Sequence, residues 1–167
     1  GLSGAGKTTL AERMSLKLKR KGLKLLILDG DKVRESYKIP LGFERQDIRI
    51  NNLNIAELCK QEKMNYDVII VPIISPIDEV RQEIKLSLYP KFSLVYLSAP
   101  IEILKKRDTK GLYKKSDSGE ISNLLGYSKN NPYDIPLDAD LVLDVSGIKT
   151  SAQSANELYE FIIDKIN

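Results

Sequence analysis

Gly1-Leu2-Ser3-Gly4-Ala5-Gly6-Lys7-Thr8 satisfies G-x-x-x-x-G-K-[ST] at every fixed position. This pattern constrains the fold because it works only between a strand and a helix. Its glycines let successive backbone N–H groups turn inward around a β-phosphate. The helix that follows adds its positive N-terminal dipole. The lysine reaches the β- and γ-phosphates, and the hydroxyl after it binds Mg²⁺. Gly1, Ser3, Gly4, Ala5, Gly6, Lys7, Thr8 and Thr9 are therefore the candidate ATP contacts, with Thr8 on the metal. A phosphate loop normally leaves a buried strand, so a short apolar strand is expected before Gly1.

Beyond the loop, helical and strand patterns alternate. Leu10, Met14 and Leu18 recur at fours, predicting a helix over 9–21 that stops at Gly22. Residues 23–28, 67–71, 92–97 and 141–145 read as short buried strands. Residues 46–63, 76–88, 100–107 and 152–166 read as helices, the second opening on Pro76. The alternation predicts a P-loop α/β fold: a parallel sheet with helices on both faces, in three layers. A chain of 167 residues suits one such domain, 1–167. Residues 108–136 are polar, weakly periodic and too long for an ordinary connection, so they are expected to form a lid.

Composition narrows the chemistry. There is no histidine, so a general base must be a carboxylate, lysine or tyrosine. A net charge of +3 gives no case for nucleic-acid binding, and no run of eighteen apolar residues predicts a membrane span. Cys59 is the lone cysteine, as expected of a reducing cytoplasm. Asp29-Gly30-Asp31 ends an apolar strand at the sheet edge where open α/β folds bind ligands. Asp29 and Asp31 are thus the candidates for holding the metal and handling an acceptor proton. Arg34, one turn on, suits an anionic substrate. Phe43, in the loop Leu41-Gly42-Phe43, offers a stacking face to a base. Lys105, Lys106, Arg107, Lys110, Lys114 and Lys115 concentrate positive charge around the lid.

These blocks together resemble the adenylylsulfate kinase family: GLSGAGKTTLA at 1–11, LDGDKVR at 28–34, LGF at 41–43, ISP at 74–76, RDTKGLYKK at 107–115, GEI at 119–121 and NPYDIP at 131–136. The resemblance implies phosphorylation of the 3′-hydroxyl of adenosine 5′-phosphosulfate by ATP with Mg²⁺. It implies Asp31, Lys7 and Asp29 as catalytic residues, Asp29 with Thr8 on the metal, and Arg107 near the ATP base. Acceptor contacts would come from Asp31, Arg34, Phe43, Asn51, Ile74, Ser75, Lys110, Leu112 and Leu124. Departures lie on the acceptor side. Ile48, Leu53 and Asn54 stand where the family carries arginines, and Leu124 and Ile77 where it carries aromatics. Arg45, one turn before Ile48, is the candidate replacement cation.

Weaker stacking and fewer cations leave a second acceptor open, the cytidine diphosphoramidate of capsule pathways. A different class, a P-loop nucleotide-binding module or ATPase without acceptor, would need neither the acidic pair nor the basic lid. The partner expected is a small nucleotide, with homodimerisation left open.

Overall fold

The computed structural model describes residues 1–166. Among these residues four short strands, β1 (Leu25–Ile27), β2 (Val68–Ile70), β3 (Val95–Ser98) and β4 (Leu141–Asp144), alternate with seven helices. These are α1 (Lys7–Arg20), α2 (Gly30–Glu35), α3 (Arg45–Glu62), α4 (Asp78–Leu88), α5 (Ile101–Arg107), α6 (Leu112–Asp117) and α7 (Ser151–Ile166). β1 pairs parallel with β2, Leu26 opposite Ile69, and β3 pairs parallel with β4, Leu97 opposite Leu143. Each pairing is made by a helical crossover, as parallel strands require.

The expected spacing on α1 is realised: Leu10, Met14 and Leu18 are buried on one side. Lys17, Lys19 and Arg20 fill its last turn, where cations suit the helix dipole. That buried side joins Leu97, Leu104, Leu143, Ala155, Leu158 and Ile162 in the main core, beneath β3, β4 and α7. On the other side, α3 packs against α4 through Ile48, Ala56, Ile77, Val80 and Ile84. Val33 of α2 joins Ile55 and Cys59 in a third cluster beside Ile69 and Val71. Helices thus cover both faces of parallel strands.

One expectation is corrected. The helix expected over 76–88, α4, begins at Asp78 rather than Pro76, because Pro76 gives its carbonyl to the Asp134 N–H (2.8 Å) while the Asp134 carboxylate caps the Asp78 N–H (3.0 Å). Residues 108–136 add a helix that periodicity did not predict. They contain α6 and bury Tyr113, Leu124 and Asn131.

Candidate active site

The carboxyl ends of parallel strands gather chain segments at one edge of a sheet. Asp29 follows β1, Ile74 and Ser75 follow β2, and Val145 follows β4. The phosphate loop runs into α1 at the same place, with Gly4 (φ 75°) and Gly6 (φ 88°) in the left-handed region that glycine adopts without strain.

Beside the glycine-rich loop is a cavity of about 210 Å³ lined by Gly4, Ala5, Gly6, Thr9, Arg107 and Val145, the candidate nucleotide side. Arg107 closes its far wall by donating to the Val145 carbonyl at 2.6 Å. Lys7 Nζ donates to the carbonyls of Gly1 (3.0 Å) and Leu2 (2.7 Å), so it crosses under the loop. Burial lowers its pKa to about 8. Lys110 adds repulsion, against the opposing pull of Asp31 and Asp29. The sequence-predicted lysine and the two aspartates therefore share one electrostatic neighbourhood.

Asp29 does two things at once. Its Oδ1 accepts from the N–H groups of Asp31 (3.0 Å) and Lys32 (3.4 Å), capping α2. Its Oδ2 accepts from the Thr8 hydroxyl at 3.5 Å. One oxygen is fixed by the helix and the other faces the phosphate loop. Among the described residues no group of three or more metal-binding carboxylates or thiols occurs. A hydroxyl and a single carboxylate oxygen beside a phosphate site instead fit a cation that takes its other ligands from phosphates and water.

Asp31 is exposed in the first turn of α2 and receives Lys110 Nζ at 2.9 Å. That contact raises the Lys110 pKa, so the cation stays charged beside the carboxylate. Arg34, one turn further along α2, lies over the Phe43 ring at 4.7 Å and donates to the carbonyls of Leu41 and Gly42. Arg34 therefore holds the loop that presents Phe43, which stays half exposed.

The acceptor-side candidates separate. Ser75 is fixed twice, its hydroxyl by Asn52 Nδ2 (3.1 Å) and its carbonyl by Arg81 Nη1 (2.7 Å). Asn51 is buried and its Oδ1 has no partner. Ile74 and Leu112 are half-buried. Leu124, expected to contact substrate, is instead 7% exposed in the main core with Ala5, Leu104 and Tyr113; an aliphatic side chain with that company available buries itself. Arg45 pairs with Glu79 at 3.4 Å and borders a separate cavity with Gln46, Arg49, Ile77 and Val80. Ile48 and Ile77 meet in the α3–α4 core, with Leu53 packed against it, so three of the departures form one apolar contact.

Sequence reasoning passed over several residues that build this edge. Arg81 is 3% exposed and joins Ser75, Asp78 and the Tyr133 ring. Asn131 Nδ2 donates to the carbonyls of Asn123 (3.0 Å) and Phe43 (3.4 Å). Asp108 caps α6 with both carboxylate oxygens, on Tyr113 N–H (3.1 Å) and Lys114 N–H (3.0 Å). Asp108, Asn131 and Tyr133 lie inside the motif blocks at 107–115 and 131–136, and that position was the signal that could have found them.

Comparisons with known proteins identify the family. The family description "Adenylylsulphate kinase" matches residues 1–144. The adenylyl-sulfate kinase of Clostridium kluyveri is 35% identical over 99% of this chain and 82% of its own. That of Halothermothrix orenii is 38% identical over 99% of this chain and 87% of its own. Among solved structures, the Mycobacterium tuberculosis APS kinase CysC, in complex with AMPPNP and APS, superposes with a TM-score of 0.88 at 30% identity, covering 98% of this chain and 94% of that one. The chain belongs to the adenylylsulfate kinase family.

Proposed function

We propose that this chain transfers the γ-phosphoryl group of ATP to the 3′-hydroxyl of adenosine 5′-phosphosulfate. The observation that carries the reading is the meeting of Lys7, Asp29 and Asp31 at one edge, with Lys110 on Asp31. A nucleotide module without an acceptor has no use for a second, exposed carboxylate there. Adenosine phosphosulfate is favoured over the cytidine diphosphoramidate alternative because the curated relatives are named adenylyl-sulfate kinases. With it, the capsule-pathway expectation loses its support.

In this reading ATP lies with its phosphates in the loop of residues 1–8 and its base toward Arg107. Thr8 and Asp29 Oδ2 would hold Mg²⁺, which shields phosphate charge when bound. Asp31 orients the acceptor hydroxyl and takes its proton as the new P–O bond forms and the bond to the β-phosphate oxygen breaks. Lys7 and the loop amides meet the charge that moves onto the leaving β-phosphate. Phe43, presented by Arg34, faces the acceptor base, and the unpartnered Asn51 Oδ1 is available to a donor on it. Residues 108–136 serve as the lid of a single catalytic unit and bring Lys110 over the reacting groups. Arg45, already engaged by Glu79, is the weakest of the acceptor contacts.

The test is turnover of ATP with adenosine phosphosulfate, with cytidine diphosphoramidate and with neither. Adenosine phosphosulfate is expected to drive ADP release. Equal ATP consumption without acceptor would overturn the assignment.

A further inference from the structure

Three consecutive carbonyls of the phosphate loop are tied from below. Those of Gly1 and Leu2 accept from Lys7. The third, Ser3, accepts from the Tyr113 hydroxyl at 3.0 Å, in a fully buried bond between residues 110 positions apart. Lys7 belongs to the recognised motif. Tyr113 does not, and it comes from α6, in the lid.

We infer that Tyr113 is a positioning residue for the phosphate cradle, fixing through the Ser3 carbonyl the direction in which the Gly4 N–H points. The carbonyl of one residue and the N–H of the next lie antiparallel in a single trans peptide plane. Holding the Ser3 carbonyl toward the core aims the Gly4 N–H the opposite way, to the side where Gly4, Ala5 and Gly6 line the nucleotide cavity. A glycine on that plane makes the anchor necessary. Gly4 sits at φ 75°, and without a Cβ the Ser3–Gly4 peptide can rotate at little steric cost. A flipped plane would present a carbonyl to the phosphates.

The anchor is itself well held. Tyr113 is 2% exposed, and Asp108 fixes its backbone N–H at 3.1 Å. Tyr127 meets its ring edge-on at 5.3 Å. Tyr127 is gripped in turn: Lys105 Nζ donates to its hydroxyl at 2.8 Å and to Asp117 at 2.7 Å. Burial, with Asp108 and Tyr127 nearby, raises the Tyr113 hydroxyl to about 12, so it remains a donor throughout the working pH range. A second lid residue braces the same loop: a Cβ on Gly126 would come within 2.1 Å of the Leu2 side chain. The lid and the cradle are thus one packed unit at their base.

This inference rests on the assignment of the loop as the nucleotide site, and the experiment separates the two. Binding of ADP and of AMP to Tyr113→Phe and to the unaltered chain is measured by titration calorimetry, alongside the melting temperature. Only ADP carries the β-phosphate. Loss of one net hydrogen bond's worth of orientation predicts about five-fold weaker ADP binding, with AMP binding unchanged. Equal ADP affinity in the two proteins overturns the role of Tyr113, as does a uniform loss for ADP and AMP, which marks a packing role alone. Failure of the unaltered chain to bind ADP overturns the nucleotide assignment itself. Should Tyr113→Phe not fold, Asp108→Asn, which loosens the cap at Tyr113, is expected to give the same ADP-selective loss. An ADP-to-AMP ratio unmoved in that variant counts equally against the inference.

Discussion

In the proposed mechanism Asp31 and Lys7 divide the chemistry between them, and their variants are expected to differ. Asp31→Asn keeps a hydrogen-bonding side chain on α2 but removes the proton acceptor. Turnover should fall by about 10²–10⁴-fold with ATP affinity nearly intact, read from kcat and from ATP binding separately. Lys7 carries a pH signature. Its pKa stands at about 8, below the ordinary 10.5. Between those values the unfolded chain binds more protons than the folded one, so this group makes stability rise with pH across the window. Nucleotide binding runs the other way, because only the charged ammonium draws phosphate. ATP affinity should fall as pH rises through about 8, and binding just above that pH should take up a proton, seen as buffer-dependent heats in calorimetry. An affinity flat from pH 7 to 9 would refute the assignment of Lys7. At this scale the sequence was readable as placement: Thr8 meets Asp29, and Lys7 lies within the charge field of Asp29 and Asp31. It misled at Leu124, because a sequence position shared with a stacking ring says nothing about whether a smaller side chain turns inward.

Helices and strands were legible from periodicity, but their ends were not. β1 and β2 have three residues each, shorter than their apolar runs, although flanking residues still bond across the pair: Leu28 N–H donates to the Ile70 carbonyl (3.0 Å) and Asp67 N–H to the Lys24 carbonyl (2.9 Å). α4 starts where a distant carboxylate caps it. Asp134→Ala removes that cap and should cost about 1 kcal/mol, a lowered melting temperature by circular dichroism, because a helix N-terminus loses its acceptor. α6 was missed because its signals are six residues long and its cap, Asp108, lies four residues before it, beyond any capping-box pattern. The cap is also conformationally unusual, with Asp108 at φ 24°. Arg81 escaped attention for a related reason. On a helix rich in charge it reads as a surface residue, and only the fold shows its guanidinium buried against Ser75.

For the molecule as a whole, the layered α/β arrangement followed from alternating patterns, and the core from the fours on α1. Met14, with no exposed surface, sits at the centre of the main cluster. Met14→Ala should cost about 2–5 kcal/mol in urea denaturation, through lost burial and the void left behind. What sequence could not supply was the joining of distant parts. The span from 108 to 136 is fastened at its start by Tyr113 on Ser3 and at its finish by Asn131 on Phe43 and Asp134 on Asp78. Leu124 in the main core and Gly126 against Leu2 pin its middle as well, so the span is seated along its length. Freeing one fastening alone, by Tyr113→Phe or Asp134→Ala, should therefore leave the rest of the span in place.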